Sequence, residues 1–172
     1  GVDFAFVRVG YRGYGNGAIK LDETFDTNVA GALKNDLNVG VYFYSQATTY
    51  EEGVEEAQFV LDNVKAYNIN LPIVLDTEDP MDDTARTSGL TREQRSEACR
   101  GFLETIKAAG YDTMLYANLR WIALNLDLTQ LYGYKIWFAQ YANEPQLPYT
   151  YQIWQYTDQG TVPGISQPVD LN

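Results

Sequence analysis

Three acidic side chains close the apolar run Leu71-Pro72-Ile73-Val74-Leu75-Asp76-Thr77-Glu78-Asp79-Pro80. The run has strand length, and in an extended strand alternate side chains share a face. Val74, Asp76 and Glu78 then point one way and Leu75, Thr77 and Asp79 the other. Two carboxylates at one strand end cannot both ionise cheaply, so one is expected to keep its proton near neutral pH while the other stays charged, as acid–base catalysis requires. Asp-x-Glu is a short motif that a solvated acidic loop also satisfies. The rest of the chain has to decide between the two readings.

The elements that must position this pair follow from hydrophobic patterning. Residues Val2 to Tyr11 are rich in β-branched and aromatic types and run into the glycine-dotted segment 12–17, which predicts a strand and a loop. Arg8 is a cation in that strand and is expected either to pair with a carboxylate inside or to mark a solvent-facing position. Phe25, Val29, Leu33 and Leu37 recur every four residues, the spacing of one helical face within 22–37. Val39 to Ser45 is a second buried strand. Thr49-Tyr50-Glu51-Glu52 has the form of a capping box, and Val54, Ala57, Val60, Leu61, Val64 and Tyr67 supply the inner face of the helix behind it. That assignment leaves Glu51, Glu52, Glu55, Glu56 and Lys65 for solvent.

The strand 71–78 comes next, then a polar loop over 79–89 and a second capping box, Thr91-Arg92-Glu93-Gln94. Cys99, Phe102, Leu103 and Ile106 form the inner face of its helix, which stops at Gly110. Thr113 to Asn118 is the fourth strand. A short helical piece over 120–131 and a strand over 134–141 follow, and then the helices disappear: 151–157 and 168–172 read as strands joined by a Gly/Pro loop. The count is seven strands. Strand–helix alternation predicts parallel α/β architecture with the helices outside, and in a closed barrel of that kind catalytic groups sit at the C-terminal strand ends. Asp76, Glu78 and Asp170 fall at such ends.

Composition narrows the chemistry. A chain of 172 residues, 45% hydrophobic, fits one domain with a sizeable core. The net charge of -11 and pI near 4.3 argue against nucleic acid and anionic membrane surfaces as partners, and no run approaches a membrane span. Histidine is absent, which removes Ser-His and Cys-His catalysis and any His-ligated metal. Cys99 is the only cysteine and reads as core. Fourteen Tyr and three Trp suit sugar faces, although packing alone also uses them.

The segments 3–11 (Asp-Phe-Ala-Phe-Val-Arg-Val-Gly-Tyr), 39–47 (Val-Gly-Val-Tyr-Phe-Tyr-Ser-Gln-Ala), 71–78 (Leu-Pro-Ile-Val-Leu-Asp-Thr-Glu), 136–141 (Ile-Trp-Phe-Ala-Gln-Tyr), 154–156 (Trp-Gln-Tyr) and 169–172 (Val-Asp-Leu-Asn) together resemble glycoside hydrolase family 25. The likeness spans essentially the whole chain in order. It implies a modified TIM-like barrel of about five β/α units followed by bare strands. It also implies hydrolysis of the β-1,4 bond between N-acetylmuramic acid and N-acetylglucosamine in peptidoglycan by a lysozyme of the N-acetylmuramidase type.

One departure accompanies the likeness. Family members start with a further strand carrying an active-site Asp, and this chain begins after that point; Asp3 belongs to the segment that matches the family's second strand. The expected domain is therefore a single glycoside hydrolase unit over 1–172, incomplete at its N-terminus. Unpaired edges on its first and last strands would invite pairing with a second copy.

By the resemblance, Glu78 is the general acid and later the base, with Asp76 raising its pKa and orienting the substrate's own 2-acetamido group, and Asp170 completing the cluster. This gives retention without an enzyme nucleophile; a carboxylate nucleophile is the alternative. Tyr44, Tyr116, Trp137, Tyr141 and Gln155 are candidate sugar contacts, and truncating Tyr44 or Trp137 is expected to lower turnover more than stability. No cofactor is implied. Two other classes compete: a catalytically weakened peptidoglycan-binding domain, and a magnesium or calcium hydrolase using Asp76, Glu78 and Asp79, which ranks last because a strand puts Asp79 on the opposite face. The implied place of action is the cell wall, for a secreted or phage-encoded enzyme.

Overall fold

A computed structural model describes all 172 residues. Its frame is a curled seven-stranded sheet backed by helices. The chain runs β1 (Phe4–Arg12), β2 (Ile19–Leu21), α1 (Phe25–Lys34), β3 (Asn38–Tyr44), α2 (Tyr50–Val64), β4 (Ile73–Asp76), α3 (Arg92–Ala108), β5 (Thr113–Asn118), α4 (Leu119–Asn125), β6 (Lys135–Ala139), β7 (Ile153–Gln155), β8 (Thr157–Gly160) and β9 (Val169–Leu171). The main sheet has the order β2-β1-β3-β4-β5-β6-β7, with β8 and β9 as a separate pair. From β1 to β7 every contact except the β1–β2 hairpin is parallel. Four strands in the main sheet are each followed by a helix, against the about five β/α units that the likeness implies.

The expected helical faces are the buried ones. Phe25 and Val29 on α1, Ala57, Val60 and Val64 on α2, and Cys99, Phe102, Leu103 and Ile106 on α3 join Val41, Phe43, Ile73 and Leu75 in one core between helices and sheet. Each large apolar side chain sealed there contributes about 1.5–3 kcal/mol. Helices α2 and α3 touch backbone to backbone: a Cβ on Gly53 would sit 2.1 Å from the Ala98 carbonyl oxygen, and one on Gly101 2.1 Å from that of Tyr50. Only glycine permits that approach.

Caps fix where the long helices begin. At α3 the box is complete, with Thr91 Oγ1 accepting from Gln94 N at 3.3 Å and Gln94 Oε1 from Thr91 N at 3.0 Å. At α2 it is half made. Thr49 accepts from Glu52 N, but the Glu52 carboxylate reaches one residue further back, to Thr48 N and Oγ1 at 2.7 and 2.8 Å, and also takes Arg86 at 2.6 Å.

Several expectations are corrected. There are nine strands, not seven, because β2 folds back on β1 and β8 forms a hairpin partner for β9. The edge of the first strand is not wholly open: β2 covers Gly10–Arg12 and Asp22 N donates to Val9 O at 2.9 Å, while the backbone of Phe4–Arg8 has no strand beside it on that side. Helix α1 is shorter than 22–37, the central strand stops at Asp76, and α4 ends at Asn125. Glu56 is not on a solvated face. It is fully buried, with Oε1 accepting from Arg12 Nε at 2.7 Å and Oε2 from Ser45 Oγ at 2.6 Å. Hydrophobic periodicity missed it because the pattern reads residue type alone, whereas this buried carboxylate is tolerated only because a distant cation, Arg12, folds against it. Arg8 does pair, with Asp22 at 2.7 Å, but in a half-exposed position.

Candidate active site

The concave face of the sheet is set by register. Tyr44 lies beside Asp76, Asp76 beside Tyr116, Tyr116 beside Trp137 and Trp137 beside Ile153. Two residues earlier on each strand, Tyr42 pairs with Val74 and Val74 with Met114. Val74, Met114 and Trp137 form a small inner core with Phe6, Tyr42, Tyr116 and Ile153 packed on it. Parallel pairing without a shift between β3 and β7 makes side chains two residues apart in sequence fall into neighbouring rows. Those rows put aromatic rings on both sides of Asp76.

An open groove of about 610 Å³ lies over this face. Six of the eight sequence-predicted residues line it: Asp76, Glu78, Asp170, Tyr116, Trp137 and Gln155. β4 ends at Asp76, yet the ladder carries on for one bond, Thr77 N donating to Tyr116 O at 3.0 Å. The strand alternation therefore persists to Glu78, while Thr77 turns away and accepts from Trp121 Nε1 at 3.1 Å. Asp170 arrives from the other end of the chain on β9. Tyr44 and Tyr141 stand beside the groove rather than in its lining. The Tyr44 hydroxyl meets that of Tyr14 at 3.2 Å and accepts from Gln46 Nε2 at 3.1 Å; Tyr141 is exposed, its hydroxyl 3.5 Å from Gln155 Nε2.

The carboxylates are not equivalent. Asp76 is buried and its Oδ1 has no hydrogen-bond partner. Burial, then the charge of Glu78, pushes its pKa well above the ordinary carboxylate value, with Arg8 opposing. Glu78 is partly exposed, and burial followed by the charges of Asp170 and Asp79 raises its pKa. Desolvation thus leads in both, and the charges that raise Glu78 are those of Asp170 and Asp79 rather than that of Asp76, to which the sequence assigns the push; Glu78 instead raises Asp76. Both shifts favour the acid form, and the two groups titrate as a pair. The acidic field extends to the tyrosines: burial and then Asp76 push Tyr42 up to about 12, and burial and then Asp76 and Glu78 raise Tyr116.

Trp137 is closely held. Its ring is 4.7 Å from that of Phe6 and 4.9 Å from that of Tyr116, and Nε1 donates to Asn172 Oδ1 at 2.8 Å. The Phe6 contact links β1 to β6 across the sheet's interior and curls it. Tyr42, Phe6 and Asn172 line the groove without having been singled out in the sequence. A signal was available for Tyr42, two residues before Tyr44 on the same face, and for Phe6 on the alternation of β1.

No three His, Cys, Asp or Glu side chains are grouped so as to hold a metal ion. The exposed Asp79 folds its carboxylate back onto Met81 N at 3.0 Å, so the geometry lends no support to a cation bound by Asp76, Glu78 and Asp79. What the groove can do is offer two inequivalent carboxyls, both shifted toward the acid form, to a ring-shaped ligand stacked among aromatic side chains.

The chain is similar to known proteins over most of its length. The model of glycosyl hydrolases family 25 matches residues 1–165. An autolytic lysozyme of Clostridium acetobutylicum is 26% identical over 157 residues, covering 91% of this chain and 45% of that protein. The modular autolysin LytC of Streptococcus pneumoniae superposes with a TM-score of 0.83 at 27% identity, over 98% of this chain and 40% of that one. For the same autolysin in complex with a synthetic peptidoglycan ligand the TM-score is 0.81. A bacterial lysozyme from Streptomyces coelicolor, 24% identical, shares the fold with a TM-score of 0.79 over 99% of this chain and 80% of its own. The chain spans less than half the length of the first two relatives.

Proposed function

Because this chain belongs to glycosyl hydrolases family 25, we propose that it hydrolyses the β-1,4 bond between N-acetylmuramic acid and N-acetylglucosamine in peptidoglycan. The observation that carries this reading is the meeting of Asp76, Glu78 and Asp170 in one aromatic-lined groove. Similarity to an autolytic lysozyme and to an autolysin crystallised with a peptidoglycan ligand supports the substrate class. The cell wall, reached by secretion or by phage release, is the corresponding place of action. No helix is long and apolar enough to cross a membrane.

In this mechanism Glu78 protonates the glycosidic oxygen as the bond breaks and then takes a proton from the attacking water. Its raised pKa keeps the acid form available nearer neutral pH than an ordinary Glu would. The buried, unpartnered Asp76 Oδ1 accepts from the substrate's 2-acetamido N–H, directing the acetamido oxygen at the anomeric carbon, so that the product retains its configuration. Asp170 raises Glu78 and meets a sugar hydroxyl. Tyr116, Trp137 and Gln155 wall the groove, with Tyr44 and Tyr141 at its sides.

Incubating the chain and its Glu78→Gln form with a peptidoglycan suspension and identifying the new ends by mass tests this. Reducing N-acetylmuramic acid from the parent alone is the expected result. Sedimentation of both forms with the wall, with no new ends, would replace hydrolysis by binding.

A further inference from the structure

Behind Glu78 lies a second, much smaller space. It measures about 10 Å³ and is lined by Ser45, Gln46, Ala47, Thr77, Glu78, Thr87, Arg95, Ala98 and Cys99, close to the ~10–15 Å³ that a single ordered water occupies. Glu78 lines this cavity and the groove alike and so forms the wall between them. The cavity is polar on several sides. It is also where a buried cation lacks a partner: Arg95 is 6% exposed, its Nη2 donates to Thr87 O at 3.0 Å, its guanidinium lies 4.5 Å from the Trp121 ring, and its Nε–H has no acceptor.

No carboxylate comes within ion-pair distance of Arg95, although every other buried or half-buried arginine of the chain that touches an acid does so at 2.6 to 2.9 Å. A buried guanidinium with an unmet donor is costly. Trp121, whose face it covers, is itself bonded to Thr77. The guanidinium and the ring thus both back onto the Thr77–Glu78 segment.

We propose that Arg95 is a positioning residue for Glu78, acting through one water held in this cavity, which accepts from Arg95 Nε–H and donates to the Thr77–Glu78 segment. The inference rests on the hydrolytic reading above for its catalytic consequence, but not for its geometry. Arg95 contributes a rear support that fixes where the Glu78 carboxyl sits and a positive charge behind the acids in front of it, coupled most directly among them to Asp79. Those acids are Asp76 on β4, Asp79 in the loop and Asp170 on β9. Tyr44, Tyr116 and Tyr141 face the same group, Arg8 acts on Asp76, and Cys99 lies beside Arg95 on α3.

Arg95→Met removes charge and donor while keeping length; Arg95→Lys keeps the charge. The Glu78 side-chain carboxyl is followed by carbon-13 NMR titration in the parent and both variants, and kcat and KM are measured on peptidoglycan against pH. Arg95→Met is expected to raise the Glu78 titration midpoint and the basic limb of kcat by about half a unit or more. It is also expected to lower kcat about tenfold with KM within about twofold. Arg95→Lys should leave the midpoint near that of the parent. A melting-temperature loss with the Glu78 midpoint and kcat unchanged overturns the inference. So does the absence, in the parent, of a long-lived water showing a nuclear Overhauser effect to Arg95 Nε–H, which needs no variant to fold. If the parent releases no muropeptide, the hydrolytic reading fails alone, because the titration and the water signal still decide the role of Arg95.

Discussion

Arg12 and Glu56 face each other in the interior, Nε to Oε1 at 2.7 Å, joining the first strand to the second helix beneath the turn that carries Ser45 and Gln46. Arg12 also donates to the Gly17 and Glu52 carbonyls and to Glu55. A buried pair of this kind is expensive to break from one side. Arg12→Ala leaves Glu56 sealed without its cation, at a position where burial already pushes its pKa up to about 7, and is expected to cost about 3–5 kcal/mol. Chemical denaturation of the variant beside the parent measures it; a loss below about 1 kcal/mol would assign the pair no more weight than a surface ion pair.

Asp76 gives the opposite result. Its folded pKa is raised by burial, so the stability it contributes is full below the unfolded value of 3.8 and is lost as pH rises toward the folded value. Asp76→Asn removes that liability. At pH 7 the variant should melt higher than the parent, by about 1–3 kcal/mol of added stability, with the difference vanishing near pH 3, while hydrolysis is abolished. Equal melting temperatures at both pH values would show that the parent's carboxyl is well solvated.

Glu78 sets the basic limb of activity. Because Asp170 is among the charges that raise Glu78, Asp170→Asn lowers the Glu78 pKa, and the pH at which activity falls moves toward acid along with a reduced maximum. A pH–rate profile decides this; a limb that stays put places Asp170 on the substrate alone.

Glu52 supplies an acid-sensitive clasp. Burial alone would raise its pKa, but Arg86 and the two Thr48 bonds outweigh it and bring it down to about 2 from 4.5. Its contribution is therefore present above about 4.5 and lost as pH falls from there toward 2. Glu52→Gln should destabilise by about 1–3 kcal/mol at pH 7 and flatten the decline of melting temperature between pH 5 and 2. An unchanged slope would mean that Arg86 holds its loop through Gln46 O alone.

Trp137 is 7% exposed and bonded to Asn172, which alters the balance expected from the sequence. Trp137→Ala should now cost about 3–5 kcal/mol as well as turnover. Trp137→Phe keeps most of the packing, so its loss of about 1 kcal/mol with a larger fall in activity would tie the Asn172 bond to the placing of neighbouring Asp170.

The periodic elements were legible because burial wrote them twice, once in spacing and once in residue type. The face of α3 through Cys99, Phe102, Leu103 and Ile106 is an example. Asp76 and Glu78 were legible because strand alternation is local and survives one residue past the end of β4. What escaped depends on partners far along the chain. Glu56 reads as solvent-facing until Arg12, 44 residues earlier, is folded against it. Strand β2, three residues long, carries no alternation to detect. Tyr44 and Tyr141 sit on the right strands or their ends, yet only the hydroxyl contacts to Tyr14 and Gln155 fix them beside the groove rather than inside it.

From β1 through β3, β4, β5 and β6 to β7, each parallel strand is laid against the one made just before it. Such a sheet can grow by accretion, each new strand closing only a short loop onto an existing template. The acids do not follow that order. Asp76 is in place by the third parallel strand, whereas Asp170 comes with the last three-residue strand, paired outside the main sheet. The part of the repulsion that Asp170 brings to Glu78 is therefore postponed until the core that must withstand it has formed.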